Sequence, residues 1–254
     1  MMNTLVISTS SFDIDHNSPL QQLIQKGFRI VTNPHRRKLT EDEIIELLRG
    51  EAVGLIAGIE PLTERVFQAT PTLKVVSRCG AGLDSVDLNA AQDHGVAVLN
   101  TPEAPAQAVA ELTMGLMLSL LRQINQIDQA VRKGEWPRLQ GRLLAAQTVG
   151  IIGIGHIGRR VAKLCQAFEA KVIAHDPFAA QVPQGVTLMP LEKLLASADI
   201  ITLHLPYTPQ THHLLDRKSF ASLKSEAIII NAARGGLIDE CALAEALNSG
   251  RVSA

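Results

Sequence analysis

Along the chain, short apolar runs alternate with longer stretches in which apolar residues recur every three or four positions. In the first hundred or so residues the runs are Thr4–Ile7, Phe28–Val31, Val53–Ala57, Val75–Ser77 and Val96–Leu99. Runs rich in Val, Ile and Leu without polar alternation suit strands covered on both faces, as in a parallel sheet. Between them Pro19–Lys26, Glu41–Arg49, Glu64–Ala69 and Asp87–His94 predict helices, and Thr40 with Glu43 forms a capping box. One long helical region, Glu103–Arg132, then breaks the rhythm, and Gly134-Glu-Trp-Pro137 marks a loop. The alternation resumes with strands at Thr148–Ile152, Lys171–His175, Asp199–His204 and Ala227–Asn231. Helices are predicted at Ile157–Phe168, Leu191–Ser197, Lys218–Leu223 and Glu240–Ser249. The pattern predicts an α/β chain of two doubly wound lobes, residues 1–101 and 102–254, joined by the long helical segment. Ligands of such sheets sit outside the carboxyl ends of the strands, so a cleft between the lobes is the expected substrate site.

Composition narrows the class. With 46% hydrophobic and 19% charged residues in 254, the chain can bury a substantial core. A net charge of −1 gives no basic surface for nucleic acid, and His35-Arg-Arg-Lys38 reads as a solvated loop. The most apolar helix, Ala104–Leu121, is interrupted by Glu111 and is too short to span a bilayer; it reads as a helix buried between the domains. Cys79, Cys165 and Cys241 form neither a disulfide framework nor a metal site, which predicts a reduced, cytoplasmic protein. Cys79 reads as a small apolar residue at a strand end, with a reactive thiol as the alternative. The opening Met1-Met2-Asn3 has no secretory pattern.

The densest chemistry lies in Thr148-Val-Gly-Ile-Ile-Gly-Ile-Gly-His-Ile-Gly158. An apolar strand runs into Gly153-x-Gly155-x-x-Gly158 and on into a helix; the next strand ends at Asp176. In this arrangement Gly153 permits the turn, Gly155 lets the backbone approach a pyrophosphate, and Gly158 lets the helix sit close to the strand. The helix N-terminus favours phosphate, and Asp176 is placed to accept from a ribose 2′-hydroxyl. A carboxylate there repels a 2′-phosphate, and only Pro177 and Phe178 follow it, so NAD is favoured over NADP.

Three further strand ends carry candidate chemistry. In Ser77-Arg-Cys-Gly-Ala-Gly-Leu-Asp84, Gly80 and Gly82 can turn successive N–H groups toward one carboxylate; an ordinary strand-to-helix turn is the alternative. In Leu203-His-Leu-Pro-Tyr-Thr-Pro209, His204, Pro206 and Thr208 fall on the rim facing the cofactor. His204 reads as an acid–base group or, more simply, as a packed residue with one hydrogen bond. In Ile230-Asn-Ala-Ala-Arg-Gly-Gly-Leu-Ile-Asp239, two glycines allow a sharp turn that aims Arg234 into the cleft, where its fork of donors matches a carboxylate or a polarised carbonyl; a surface arginine is the alternative.

Taken in order, Arg78-Cys-Gly-Ala-Gly-Leu-Asp84, Asn100-Thr-Pro102, Val109-Ala-Glu111, Gly153–Gly158 with Asp176, His204-Leu-Pro206 and Asn231–Asp239 span nearly the whole chain. Together they resemble the D-isomer-specific 2-hydroxyacid dehydrogenase family, in its phosphoglycerate dehydrogenase-like group. The resemblance implies a flavodoxin-like substrate domain, a Rossmann NAD-binding domain and a homodimer formed through the latter. It implies that the amides of Gly80, Ala81 and Gly82 bind the substrate carboxylate, and that Arg234 holds and polarises the 2-oxo or 2-hydroxy group. It further implies that His156 and Ile157 lie at the pyrophosphate, and Ala233 and Arg234 beside the nicotinamide. The implied reaction is hydride transfer between NAD and a small D-2-hydroxy or 2-oxo acid, with 3-phosphoglycerate among the candidates. Phosphoglycerate needs cations at the mouth of the first lobe: Arg78 is one candidate for substrate binding there, whereas Glu60 stands where a phosphate-binding cation is expected.

The family's acid–base histidine and its steering glutamate have no counterpart up to Ala254, where a further strand is expected to begin. On this reading the chain is a truncated dehydrogenase with doubtful turnover, an exposed sheet edge near Ala227–Asn231 and a tendency to associate. An NADH-sensing binding protein or an inactive fragment is the competing reading.

Overall fold

The structure, a computed structural model, describes residues 3–9 and 16–254; Met1 and Met2 of the opening segment lie outside them. Its contacts divide the chain into two units, Met1–Pro105 and Ala106–Ala254.

The first unit runs β1 (Thr4–Ile7), α1 (Ser18–Gln25), β2 (Arg29–Thr32), α2 (Glu41–Leu48), β3 (Ala52–Ala57), α3 (Glu64–Ala69), β4 (Val75–Arg78), α4 (Leu88–Asp93) and β5 (Ala97–Asn100). The strands are parallel in the order β2-β1-β3-β4-β5, the flavodoxin-like arrangement. Central β3 is largely buried, whereas edge strand β5 exposes alternate positions and edge strand β2 its two end residues. Val6, Leu55, Val66, Phe67, Leu73 and Val76 form the heart of its core. The capping box forms: Thr40 Oγ1 accepts from Glu43 N at 3.3 Å, and Glu43 Oε2 accepts from Thr40 N at 2.8 Å.

The second unit runs α5 (Ala106–Leu121), α6 (Ile124–Arg132), β6 (Thr148–Ile152), α7 (His156–Ala167), β7 (Lys171–His175), β8 (Thr187–Leu188), α8 (Leu191–Ser197), β9 (Ile200–Leu203), α9 (Arg217–Ala221), β10 (Ile228–Asn231) and α10 (Glu240–Asn248). Its parallel order, β10-β9-β6-β7-β8, is the Rossmann arrangement. Ile151, Val161, Val172, Ile200 and Ile228 pack on one side of the sheet with Met114 and Met117 of α5. Ile152, Ile173, Leu203, Leu194 and Phe220 form a second core.

Several expectations need correction. The long helical region is two helices, broken where Gln123 adopts a left-handed φ of 54°, and Gly141 and Arg142 return against the Leu121 end. Strand β8 was not foreseen: two exposed residues give no periodic signal. Cys79 is exposed rather than packed. Beside β10, the segment 251–254 pairs in parallel, with an Ala227–Val252 bridge and Ile229 N donating to Ala254 O at 2.8 Å.

Candidate functional site

In the second unit the parallel register levels the carboxyl ends of four strands. Ile152 stands beside His175 and Leu203, and Leu203 beside Asn231. The glycine loop, Asp176, His204–Thr208 and Ala233–Arg234 therefore leave the sheet along one edge. Gly153 turns with φ +92°, and a Cβ on it would collide with the carbonyl of His204. Its N–H donates to His175 O at 2.9 Å, while His204 N donates to Ile152 O at 2.7 Å. A Cβ on Gly158 would run into Gly153 O, so glycine is what lets α7 start this close to β6. Gly155 is different. It is exposed, its φ of −73° suits any residue, and a Cβ there would meet no protein atom within 4 Å. Neither conformation nor packing explains glycine at 155.

No side chain caps α7, whose first residues are exposed His156 and half-buried Ile157. Its N-terminal turn thus presents the amides and partial positive charge that suit an anion. Asp176 is pinned beside it: Oδ2 accepts from Ile154 N and Oδ1 from Phe178 N, both at 2.9 Å. These two bonds fix the carboxylate at the end of β7 while leaving each oxygen a further lone pair.

His204 is 9% exposed. Its Nε2 lies 2.9 Å from Thr202 Oγ1, and its buried Nδ1 has no partner. Burial pushes its pKa down to about 4. The imidazole is buried and neutral at pH 7, which fits the reading as a packed residue with one hydrogen bond, and it is the His204 backbone that lies against Gly153. Pro206 is exposed. Thr208 and Thr211 tie the following turn: Thr208 N donates to Thr211 Oγ1 at 2.7 Å, and Thr211 Oγ1 donates to Pro206 O at 2.9 Å.

Past β10, Asn231 Nδ2 donates to Arg234 O at 2.9 Å and Asn231 Oδ1 accepts from Ala233 N at 3.0 Å. Arg234 is extended, half-buried, and donates through Nη1 to Ala233 O at 2.9 Å. The two glycines after it open a tight 3₁₀ turn, Gly235–Leu237, with neither at a positive φ. Gly236 also makes room for Tyr207, whose Cε2 would lie 2.5 Å from a Cβ there. Tyr207 was overlooked because its partner lies across the fold, on the turn after β10.

In the first unit, Arg78 ends β4 at 7% exposure. Its Nη1 donates to Cys79 O and its buried Nε has no partner. Gly80, at φ +136°, admits that guanidinium, which a Cβ would meet at 2.5 Å. Gly80 N is already occupied, donating to Thr101 Oγ1 at 2.9 Å, so it is withdrawn from the amides expected to meet a ligand. Ala81 N and Gly82 N donate to no acceptor among the described residues. Asn100 Nδ2 donates to Ala81 O at 2.7 Å and orients that peptide. Asn100 and Thr101, quoted above only as part of a motif, prove to be the props of the turn.

Comparison with known proteins agrees with these features. The profile described as "D-isomer specific 2-hydroxyacid dehydrogenase, NAD binding domain" matches residues 114–254. The chain is 41% identical over 222 residues to D-3-phosphoglycerate dehydrogenase of Methanocaldococcus jannaschii, covering 85% of this chain and 42% of that protein. It is 40% identical over 245 residues to hydroxypyruvate reductase of Thermotoga maritima, covering 94% of this chain and 79% of that one. Among solved structures, D-lactate dehydrogenase of Aquifex aeolicus, complexed with NAD and lactic acid, superposes with a TM-score of 0.82 at 29% identity, covering 98% and 75% of the two chains. The chain thus spans less than half of the phosphoglycerate dehydrogenase it matches.

Proposed function

The chain belongs to the D-isomer specific 2-hydroxyacid dehydrogenase family, and from that premise we propose that it binds NAD on its second unit and serves hydride transfer with a small D-2-hydroxy or 2-oxo acid. Glycine at 155 carries this reading. Neither its φ nor its packing needs glycine, but close approach of a pyrophosphate to the backbone does. The residues present fit the cofactor. Gly153, Gly155, His156, Ile157 and Gly158 form the phosphate cradle, and Asp176 holds two ribose hydroxyls through its remaining lone pairs. That carboxylate also repels a 2′-phosphate, so NAD is preferred to NADP. His204, Pro206, Thr208 and Ala233 wall the cofactor along the ends of β9 and β10.

When bound, NAD accepts or delivers the hydride. Arg234 holds the 2-oxo oxygen and stabilises charge developing on it through a fork of donors. In the first unit Ala81 N and Gly82 N hold the substrate carboxylate, with the Arg78 guanidinium beside the turn. His204 is buried and its Nε2 is tied to Thr202 Oγ1, so its role here is to wall the cofactor site.

The active species is a homodimer formed through the second unit. Leu112, Leu116 and Leu120 lie exposed at four-residue spacing along α5, and Ile124 at the start of α6 and Trp136 and Leu143 in the loop beyond are exposed too. A continuous apolar row of this kind marks a protein contact. Among the described residues no helix is long and apolar enough to cross a membrane, and the three free thiols fit a reducing cytoplasm.

Calorimetric titration of the protein with NADH, NADPH and NAD tests the cofactor reading, and sedimentation of the same sample tests the assembly. NADH should release heat at one site per chain, NADPH at least about tenfold more weakly, and the protein should sediment as a dimer. Absence of heat with both NADH and NAD from a cooperatively folding sample overturns the reading.

A further inference from the structure

Glu60 is a buried ionisable group to which the roles above give no work. It is 2% exposed, three residues beyond the end of β3. Its Oε1 accepts from Gly58 N at 3.0 Å and from the hydroxyl of Ser8, a residue also 2% exposed and directly beyond the end of β1. A Cβ on Gly58 would lie 2.9 Å from Oε2, so glycine makes room for the carboxyl. Oε2 accepts no hydrogen bond from the described residues, although the side chain around it is nearly buried.

The place matters as much as the group. In the order β2-β1-β3-β4-β5 the connections part between β1 and β3, and Glu60 bridges the carboxyl ends of that pair. Ligands of open α/β sheets enter at this crevice. The neighbouring strand β4 carries the 78–82 turn: Ala57 stands level with Arg78, and Cys79 N donates to Ala57 O at 2.9 Å. The acid and the amide-bearing turn thus leave adjacent strands of one sheet.

We propose that Glu60 sets the substrate class, accepting a hydrogen bond from a hydroxyl on carbon 3 and refusing a phosphate in its place. A carboxylate offers acceptors only, and its open Oε2 matches a hydroxyl donor. A phosphate brings negative charge and no donor to pair with it, next to a carboxylate screened from water, where like charges repel strongly. The ligands of this site are 2-hydroxy or 2-oxo acids with a free hydroxyl on carbon 3, and their 3-phosphorylated counterparts are excluded. The inference rests on the reading of the 78–82 turn as the substrate-carboxylate site.

The test is calorimetry on the NADH-saturated full chain with D-glycerate, D-3-phosphoglycerate and D-lactate, a pairing in which no turnover occurs. D-glycerate should bind at least about tenfold more tightly than D-3-phosphoglycerate. Glu60→Gln, which keeps the shape and removes the charge, should bring the two within about twofold while leaving D-lactate unchanged. Ser8→Ala removes a partner of Glu60 but keeps the charge, so it should still refuse the phosphate and covers the case in which the glutamine variant fails to fold. Tighter binding of D-3-phosphoglycerate by the wild type overturns the proposal, as does a Glu60→Gln variant that weakens all three acids alike. Heat from NADH with none from any acid is a different failure: it removes the substrate site itself, and this inference with it.

Discussion

The two sheets answer the same topological situation in opposite ways. Each opens a crevice where its connections part, between β6 and β9 in the second unit and between β1 and β3 in the first. In the second unit that crevice is walled by backbone: Gly153, Gly155 and Gly158 carry no side chain, and an uncapped helix begins there. In the first it holds the buried carboxyl of Glu60, and the open amides lie one strand further along, after β4. Parallel strands fix where a ligand can bind, but a few side chains decide whether an anion is received or turned away. On the two readings proposed above, one crevice is shaped for a pyrophosphate and the other against a phosphate.

The largest effect expected comes from filling the backbone wall of the second unit. In Gly158→Ala the new methyl meets a carbonyl, Gly153 O, which cannot rotate aside. Helix α7 must move off β6, at a cost of about 3 kcal/mol, and NADH binding should vanish. The matching change in the first unit, Gly58→Ala, meets Glu60 Oε2, the end of a side chain that can change rotamer, and should cost only about 1–2 kcal/mol. Urea unfolding of the two variants checks the difference. Equal losses would mean that the two crevices are not built differently.

How far these features could be read from sequence follows the range of the interactions. Strands β1, β6 and β7 and helices α3 and α8 have the bounds expected, because each is a short apolar run or an amphipathic stretch closed by a local signal. The glycine loop and Asp176 were legible for the same reason: spacing within 24 residues encodes both the turn and its acid. What escaped depends on partners distant in sequence. Tyr207 fills the space over Gly236, and Thr101 occupies the amide of Gly80. Ser8 meets Glu60 across 52 positions. The break at Gln123 escaped because a single left-handed residue between two helical stretches leaves the apolar period almost undisturbed.

A smaller effect separates the buried polar groups of the two crevices. Glu60 has two donors, whereas His204 keeps a buried nitrogen without a partner. With its folded pKa near 4 and an ordinary unfolded value near 6.5, His204 takes up a proton in the unfolded chain first as pH falls. Its contribution to stability is full above pH 6.5, is lost progressively down to about pH 4, and amounts to about 3 kcal/mol. Urea unfolding at pH 7 and pH 4.5 should show most of this loss in the wild type. His204→Gln, which has no titrating ring, should lose that much less over the same interval. An unchanged pH slope in the variant would mean that the imidazole is hydrated or partnered.

The smallest effect is the most discriminating, because it separates a glycine kept for the fold from one kept for a ligand. Gly155→Ala introduces a methyl that touches nothing within 4 Å, at a φ of −73° that alanine adopts freely. Unfolding free energy should therefore stay within about 0.5 kcal/mol of wild type. A bound pyrophosphate, however, must approach this backbone closely, and the methyl stands in its way. NADH affinity should fall about tenfold, equivalent to roughly 1.4 kcal/mol. Gly158→Ala loses stability and affinity together, so only the change at 155 can show affinity lost on an intact fold. If Gly155→Ala binds NADH as wild type does, the phosphates do not rest on this loop, and the contrast between a receiving and a refusing crevice loses its receiving half.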